Sequence, residues 1–569
     1  MKTKLTLLAT LSILSCASHA ADTAFYQITE IAGNKAGNYG PWPVAMAEDK
    51  SVASLAVTSD WFSYMNMAPM GMDLADRFRY MSGCKSQMAS DVCDGFWGDD
   101  TTTRAKRWRL DSVVYNPQAE SILNGTSQGE HDGIIKALGS STEEAVGYRI
   151  AEKSLNGFYF ERQAIASLNG TTVQLAPPST FDGVGGFSSA NTLLNVNDDY
   201  VLVGGTTNTA IAPPDSSFER CYNGNTKEEG EFAYCPGFNT QASLWMVKRD
   251  GSSVNLATAP DYYRKNPKNS VLETAAVTGL SDDGDGNYLA VGYSSSDAVS
   301  SSALGGRNVA VMWPVTIANN VATFGALALL PLPQGEPGEG DKVLENTWAV
   351  AANGNYVIGN QKFNYEGRNA RNLPIEMFVY DRSKKTTTIP MSNKPFNGSN
   401  SEAMAMNKNG QVVGWRDERN ESQAVYNGSP RMPEAFLYNA TTGNDWRLND
   451  LICSGTTTAL SCEQNGKYYF IAYASAVSAD GTIAATAYRY DSYEDWAARR
   501  GATVVPVALT PNVAFSDTHD VPSDYVLSNP LPASNVGQDN GGGAIPVWLL
   551  VLVAPFALFR TRKIFNKMS

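Results

Sequence analysis

Residues 401–415, SEAMAMNKNGQVVGW, and residues 434–452, EAFLYNATTGNDWRLNDLI, are the stretches that decide the fold of this chain. In the first, alternating apolar residues lead to a turn at Asn407–Gly410 and then resume. In the second, the alternation turns at Thr442–Asn444. Asn and Gly supply the backbone angles of tight turns, and a period of two is typical of half-buried strands. The two stretches therefore predict two β-hairpins, which together make a unit of four antiparallel strands.

Degenerate copies of this unit recur through most of the chain. Besides the template, the first hairpin recurs at Val44–Ser54, Leu138–Gly147, Asn195–Gly204, Ala276–Gly292, Val350–Gly359 and Ala476–Ala485. The second hairpin recurs at Ala105–Tyr115, Ala164–Leu175, Ala242–Leu256, Val309–Leu329, Met377–Ile389 and Ala435–Leu451. In the seventh copy only one strand of it, Val504–Leu509, is clear. Seven four-stranded units predict an all-β fold, a β-propeller in which each sheet is buried only against its neighbours.

Long insertions interrupt the predicted units on one side only. They follow the second strand at 57–103, 206–240, 294–307, 360–374 and 416–433, or separate units at 331–344 and 453–467. Because successive strands reverse direction, both kinds of connection emerge on the same face of a propeller. Loops carry function more often than the scaffold that presents them, so this face is the candidate for function.

The two ends of the chain predict export. Residues 1–20 have basic, apolar and small-residue regions in the order of a cleaved signal peptide, with lipidation at Cys16 as the alternative. The lone strand Phe25–Ile31 has no hairpin partner of its own and is expected to complete the seventh sheet. The propeller is assigned to residues 21–509, and a polar linker with a Gly triplet to residues 510–543. Residues 544–563 combine an apolar run with a basic end, which predicts a transmembrane helix whose basic end stays in the cytoplasm.

Composition limits the classes of partner. Hydrophobic residues make up 43% of the 569 residues, enough for a large core. The formal net charge of −13 argues against nucleic acid, because phosphate binding needs clustered Lys and Arg.

Six cysteines remain after the predicted signal and fall into close pairs. The pairs are Cys84 with Cys93, Cys221 with Cys235, and Cys453 with Cys462. Each predicts a local disulfide, because an exported chain meets an oxidising compartment and no pair has C-x-x-C spacing. Loops this short contribute a little under ~3 kcal/mol each in the chain-entropy model. A zinc site is not expected, because His131 and His519 are the only histidines beyond the signal.

The template resembles a known repeat. The run Ala405–Gly414, followed by Ala435-Phe436-Leu437-Tyr438, is similar to the extracellular HAF-type repeat, although Glu434 stands where that repeat has His. Gly541, Gly542 and Gly543, followed by the apolar run and the basic tail, resemble the Gly-Gly C-terminal sorting signals of Gram-negative bacteria. That likeness implies cleavage near the glycines by a rhomboid-type protease, after signal peptidase has acted, and release to the cell surface or medium. The alternative is a periplasmic protein anchored in the inner membrane by its tail. The whole layout resembles a family of exported gammaproteobacterial proteins of unknown function, which implies a location and no activity.

Two motifs are candidate sites. Asp283, Asp285 and Asn287 have the oxygen spacing of a calcium loop but lack its later Gly and Glu, so an elongated hairpin turn is the favoured interpretation. The first insertion is rich in aromatic residues and Met, which fits a binding platform or a flap that packs on itself. Its candidate residues are Trp61, Phe62, Tyr64, Phe96 and Trp97. No confident metal site and no cofactor are predicted.

No catalytic residues are predicted, and the chain is expected not to be an enzyme. The motifs of serine hydrolases, P-loop enzymes and zinc proteases are missing from the sequence. A carboxylate pair needs no motif, and Asp94, Asp99, Asp100, Glu228, Glu229 and Glu231 lie in the insertions. The sequence therefore predicts an exported binding or surface-structural protein, whose ligand is a polysaccharide or a protein. The alternative is a polysaccharide-acting hydrolase or lyase on the same scaffold.

Overall fold

A computed structural model describes most of the chain between residues 23 and 526. The described residues are 23–32, 39–57, 119–123, 126–127, 134–153, 159–178, 180–181, 184–185, 188–208, 240–263, 274–295, 308–332, 344–363, 375–390, 400–418, 433–456 and 459–526. The first half of the strands are β1 (Tyr26–Glu30), β2 (Tyr39–Met46), β3 (Val52–Val57), β4 (Ala119–Leu123), β5 (Thr126–Ser127), β6 (Ile134–Leu138), β7 (Glu144–Lys153), β8 (Tyr159–Leu168), β9 (Thr171–Leu175), β10 (Thr180–Phe181), β11 (Val184–Gly185), β12 (Ser188–Asn195), β13 (Tyr200–Asn208), β14 (Thr240–Lys248), β15 (Val254–Thr258), β16 (Ala275–Gly284) and β17 (Asn287–Ser295).

The second half completes the strand inventory and adds the helices. The strands are β18 (Asn308–Ala318), β19 (Val321–Phe324), β20 (Ala328–Leu329), β21 (Leu344–Ala352), β22 (Tyr356–Phe363), β23 (Ile375–Asp381), β24 (Thr386–Thr388), β25 (Ser401–Met406), β26 (Gln411–Asp417), β27 (Pro433–Asn439), β28 (Asp445–Arg447), β29 (Ser454–Thr456), β30 (Ala459–Ser461), β31 (Glu463–Gln464), β32 (Lys467–Val477), β33 (Ile483–Tyr490) and β34 (Thr503–Pro511). The helices are α1 (Leu448–Leu451), α2 (Tyr493–Ala498) and a 3-10 turn at Ser523–Tyr525.

The strands form a seven-bladed β-propeller. Sheets 1 to 7 are β2–β5, β6–β9, β12–β15, β16–β20, β21–β24, β25–β28, and β31–β34 with β1. All neighbouring strands are antiparallel, and β10–β11 and β29–β30 are small hairpins between sheets. The seven predicted first hairpins are confirmed, as are the second hairpins of sheets 2 to 6.

The third and fourth strands of sheet 1 were predicted at the wrong residues. The predicted segment Ala105–Tyr115 lies outside the described residues, and the strands that complete the sheet are β4 and β5. Strand β4 reads AESIL, and β5 has two residues. Strands this short and polar leave almost no alternation for a pattern to detect.

Apolar clusters join each sheet to the next and close the ring. Between sheets 2 and 3, for example, Val146 packs in one cluster with Val203 and Trp245. Sheets 3 to 7 are joined in the same way, as are sheets 1 and 2. Val52 of sheet 1 packs with Ala476 and Ala484 of sheet 7. Each sheet therefore buries both faces against neighbours, as a propeller requires.

The N-terminal strand completes the seventh sheet, as predicted. Strand β1 pairs with β34 along its whole length, from Tyr26 opposite Pro511 to Glu30 opposite Val507. Without β1, the outer edge of β34 would present unpaired backbone N–H and C=O groups, with which a strand of another chain could pair. The side chain of Gln464 accepts a hydrogen bond from the Ile28 amide at 2.8 Å and donates to the Tyr26 carbonyl at 2.9 Å.

The two faces of the ring differ in their connections. One face has the connections between first and second strands and between third and fourth strands, and we call it the turn face. None of these connections exceeds five residues. We name the loop face the opposite one, where second strands connect to third strands and each sheet connects to the next. There the connections are longer, up to the segment between β3 and β4, residues 58–118, with the short connection 154–158 between β7 and β8 as the exception.

Polar contacts between turns run around the whole turn face. At six junctions of adjacent sheets they are Glu48 N to Gly139 O, Arg249 to Glu144, Asn255 Nδ2 to Asn320 O, Arg382 to Asp283, Asn353 Nδ2 to Asn407 O, and Asn407 Nδ2 to Ser478 O. At the seventh junction Lys50 pairs with Asp480 of sheet 7 at 2.6 Å. The turns therefore bind mainly to one another, so this face uses its polar groups for the scaffold.

Candidate functional site

Many residues singled out in the sequence lie outside the described part of the chain. They include Trp61, Phe62, Tyr64, Phe96 and Trp97, the pairs Cys84–Cys93 and Cys221–Cys235, the insertion carboxylates, Gly541–Gly543 and the apolar run 544–559. These assignments remain predictions. Among the residues that the structure describes, no helix is long and apolar enough to cross a membrane.

The proposed calcium loop is a hairpin turn. Asp283 lies in a register shift near the end of β16, Asp285 and Gly286 form the turn, and Asn287 begins β17. The Asp283 carboxylate forms two hydrogen bonds with Arg382 of sheet 5, at 3.0 and 2.6 Å. Bidentate pairs of this kind are among the stronger polar contacts on a protein surface. Within the described residues the chain assembles no cluster of metal-binding side chains, and Asp283 serves the junction of sheets 4 and 5.

The predicted disulfide between Cys453 and Cys462 is present. It closes a loop of separation 9 that contains the β29–β30 hairpin, just after helix α1. Both cysteines are buried in the cluster that joins sheets 6 and 7. The disulfide therefore fixes the connection that carries Gln464 to the edge of β1.

Four buried carboxyl groups lie where the strands of sheet 6 reach the loop face: Glu402, Asp417, Glu418 and Glu434. Trp415 Nε1 donates to Glu402 at 3.0 Å, and the Asn400 amide donates to Asp417 at 2.8 Å. Burying a carboxylate costs free energy unless it accepts hydrogen bonds, so these donors lower the cost of burying Glu402 and Asp417.

Glu434 is held between two arginines. Arg416 Nε donates to one of its oxygens at 3.0 Å and Arg447 Nε to the other at 2.7 Å. Burial alone lowers the pKa of Arg447, but the charges of Glu434 and Asp450 outweigh it and leave that pKa raised. The three side chains form a charged ladder across β26, β27 and β28.

An ion pair joins sheet 6 to the helix of sheet 7. Arg499 ends α2 in a left-handed conformation and reaches Glu418 at 3.4 Å, with both side chains almost fully buried. Its guanidinium carbon lies 4.0 Å from the centre of the Phe470 ring and 5.0 Å from that of Trp496. A guanidinium stacked on aromatic rings and paired with a carboxylate is strongly oriented. Arg499 therefore fixes helix α2 against the loop face.

Helix α2 presents aromatic side chains beside this pair. Tyr468, Tyr493 and Trp496, which we call the aromatic triad, have ring centres 5.7 to 6.2 Å apart. Trp496 Nε1 is anchored on the Tyr469 carbonyl at 2.9 Å, while Tyr493 remains 57% exposed. Partial desolvation, and then the hydrogen bond to Glu463, raises the pKa of Tyr468. Its hydroxyl donates a hydrogen bond to Glu463 at 3.2 Å.

The carboxylates of this arrangement do not converge on a common point in the way that glycoside cleavage requires. Glycoside cleavage needs two carboxyl groups that converge on one bond, one of them able to give up a proton. The carboxylates of sheet 6 instead accept hydrogen bonds from Trp415, Asn400 and the arginines, so their oxygens are engaged within the scaffold. In the aromatic triad, the exposed Tyr493 ring lies beside the partly buried Tyr468 and Trp496, and the Tyr468 hydroxyl and Glu463 carboxylate lie at its border.

The sequence interpretation missed both the charged strand ends and the triad. Glu418 and Arg499 are separated by 81 residues and belong to different sheets, so only the closed ring brings them together. The sequence does contain a recognisable N-cap signal for helix α2. Ser492 stands three residues before Asp495, and its hydroxyl accepts a hydrogen bond from the Asp495 amide at 3.1 Å, which caps the helix. Tyr493 and Trp496 then fall on one face at a spacing of three.

Comparison with known proteins gives a family and distant fold relatives. The family described as "Protein of unknown function (DUF3466)" matches residues 109–561. No curated protein matches the chain by sequence. Among solved structures, a Trypanosoma rangeli sialidase in complex with sialic acid shares 13% identity and a TM-score of 0.22, over 59% of this chain and 56% of the sialidase. The match thus spans little more than half of that enzyme.

Two other solved structures are covered along nearly their whole length. A Dyadobacter fermentans protein of unknown function has 10% identity and a TM-score of 0.33, over 86% of this chain and 100% of its own. An oligogalacturonate lyase from Vibrio parahaemolyticus has 8% identity and a TM-score of 0.32, over 86% of this chain and 99% of the lyase. At TM-scores this low, neither likeness bears on activity.

Proposed function

The chain belongs to this family of proteins of unknown function, and from that premise we propose that it is an exported propeller that binds an extracellular ligand through its loop face. The observation that carries the proposal is the difference between the two faces. On the turn face, polar groups of the turns are engaged with neighbouring turns at all seven junctions. The loop face has the long connections, the buried charges and the aromatic triad with its exposed Tyr493.

Export is the second part of the proposal. Signal peptidase removes residues 1–20, and a rhomboid-type protease cuts near Gly541–Gly543, which releases the protein to the cell surface or medium. The buried disulfide between Cys453 and Cys462 supports an oxidising destination. Intact mass of the protein from membrane, surface and medium fractions tests it, with ends at Ala21 and near Gly541–Gly543 expected. A full-length C-terminus confined to the inner membrane would contradict release.

Binding is favoured over the alternative, a polysaccharide-acting hydrolase or lyase. The four buried carboxylates of sheet 6 accept hydrogen bonds from neighbouring donors, and Glu418 and Glu434 are also in ion pairs. A general acid requires a carboxyl group that holds its proton near neutral pH. It also has to reach the bond that it cleaves, and the oxygens of these four carboxylates are already engaged with partners in the scaffold.

Matched insertions test which face binds. The same short flexible peptide is inserted after Gly501 on the loop face or after Asp285 on the turn face. A side chain at Gly501 or at Gly286, next to the second insertion point, would meet nothing within 4 Å, so both insertions should leave the fold intact. The readout is retention of labelled mature protein on cells of the producing strain that lack it.

We expect the Gly501 insertion to weaken retention by about tenfold or more, equivalent to at least ~1.4 kcal/mol, while the Asp285 insertion behaves as wild type. Equal retention by both variants, or loss caused by the Asp285 insertion alone, would show that the loop face is not the binding surface. Thermal unfolding of both variants checks that the propeller is intact.

A further inference from the structure

We propose that the aromatic triad is a binding site for neutral carbohydrate, with the face of a sugar ring packed on Tyr493 and Trp496. This inference rests on the proposed function and names the ligand class of the loop face. Aromatic faces carry negative charge density, and the C–H bonds on one face of a pyranose are weakly positive, so the two surfaces attract.

The exposure of Tyr493 is the first step of the argument. The exposed large apolar side chains of the described residues are Val321, Tyr493 and Val526. Only Tyr493 among them packs in a group of aromatic rings. Its neighbour Trp496 is held by the hydrogen bond to the Tyr469 carbonyl and by Arg499, so the ring surface is already ordered before a ligand arrives. Pre-ordered aromatic side chains bind at a low entropic cost.

The charges around the triad disfavour an anionic ligand. Every basic side chain that the structure describes on this surface is in an ion pair, namely Lys467 with Asp491, Arg489 with Glu30, Arg499 with Glu418, and Arg500 with Asp495. A phosphate or uronate would have to compete with these carboxylates for its cation. Within the described residues, this surface therefore disfavours a nucleic acid or an acidic polysaccharide.

The Trp496 ring also disfavours a cationic ligand. The Arg499 guanidinium already lies 5.0 Å from the centre of the Trp496 ring. A ligand cation at this ring would seek the same cation–π attraction and would be repelled by the charge of Arg499. Glu463 and Glu494 lie outside the ion pairs of the described chain, and Tyr468 donates to Glu463 at 3.2 Å. Carboxylates and hydroxyls beside an aromatic surface suit the hydroxyl groups of a neutral sugar, which both donate and accept.

Affinity electrophoresis of the mature protein tests the site. The gels contain neutral polymers, namely starch, hydroxyethylcellulose or galactomannan, or the anionic polymers polygalacturonate and alginate. We expect retardation in at least one neutral polymer. Tyr493→Ala should weaken it about tenfold, the scale of one lost aromatic contact, and Tyr493→Phe should restore it. Val321→Ala is the matched control, because Val321 is 45% exposed on the turn face.

Three outcomes would overturn the inference. No retardation in any neutral polymer would do so, as would equal retardation of wild type and Tyr493→Ala, or stronger retardation in the anionic gels. If cell retention is still lost with the Gly501 insertion, loop-face binding stands and only the carbohydrate assignment fails. If that insertion has no effect either, the proposed function fails as well.

Discussion

The repeated glycine of the second strands is required by a close contact. Five sheets have it, at Gly147, Gly205, Gly292, Gly359 and Gly414. Opposite each one, the first strand has a β-bulge that pushes a carbonyl oxygen toward the glycine. A methyl group there would overlap the oxygen of Ile134, Ser189, Ala276, Trp348 or Glu402. The Val-Val-Gly motif therefore encodes a bulge, and the third copy places it at Gly205, one residue beyond the Gly204 aligned in the sequence.

Gly414→Ala tests this requirement. The new methyl group meets the Glu402 backbone, which cannot move without disturbing the bulge. We expect a loss of about 1–3 kcal/mol in the free energy of unfolding, measured by urea denaturation. Gly354→Ala is the control, because a methyl group at Gly354 meets nothing within 4 Å. Equal stability of the two variants would contradict the assignment.

Buried tyrosines make stability depend on alkaline pH. Burial, and then the nearby charge of Asp445, raises the pKa of Tyr438 to about 12. An unfolded tyrosine titrates near ~10. Because the folded pKa is the higher one, the contribution of Tyr438 is complete below pH ~10 and is lost as pH rises toward 12.

Thermal unfolding between pH 8 and 12 checks this dependence. Tyr438→Phe should unfold like wild type below pH ~10 and lose less stability above it, because a phenylalanine cannot ionise. Burial also raises the pKa of Tyr490 to about 12. Because both proteins contain Tyr490, both should still lose some stability at alkaline pH. Parallel curves across the whole range would mean that Tyr438 does not titrate in this way.

At the scale of elements, the turns and the C-terminal segment hold the ring together. The Asn407 side chain accepts from the amides of Asn409 and Gln411 and donates to the Ser478 carbonyl of the next sheet. The segment 512–526 then crosses the turn face from sheet 7 to sheet 6. Asp520 in this segment accepts from Asn439 at 2.7 Å and from Asn444 at 2.9 Å.

Removing this contact should free the segment without unfolding the propeller. For Asp520→Ala we expect amide hydrogen exchange in residues 512–526 to become about tenfold faster, equivalent to ~1.4 kcal/mol, with the sheets unchanged. Asp517→Ala is the matched control, because Asp517 is exposed and forms no hydrogen bond with the described chain. Equal exchange in both variants would show that Asp520 does not hold the segment.

For the whole molecule, the periodic part of the fold was predictable and the site was not. Alternation and turn residues recur in each copy, so the ring of seven sheets and its closure by β1 followed from the sequence. The outer strands of sheet 1 were too short for that pattern. The Glu418–Arg499 pair and the aromatic triad depend on contacts between distant segments, which a local period does not encode.

Closure by the first strand sets the order in which the molecule can be completed. Ala24 and Asn512, which meet at the end of the β1–β34 pair, are 488 residues apart. At about 5–20 residues per second, β1 waits roughly 25–100 s during synthesis for its partner strand. During that interval the unpaired β1 of one chain can pair with the β34 edge of sheet 7 in another copy, since β1 and β34 are identical in every molecule. Crowded synthesis therefore favours strand-exchanged dimers, and slow or dilute synthesis favours closed monomers.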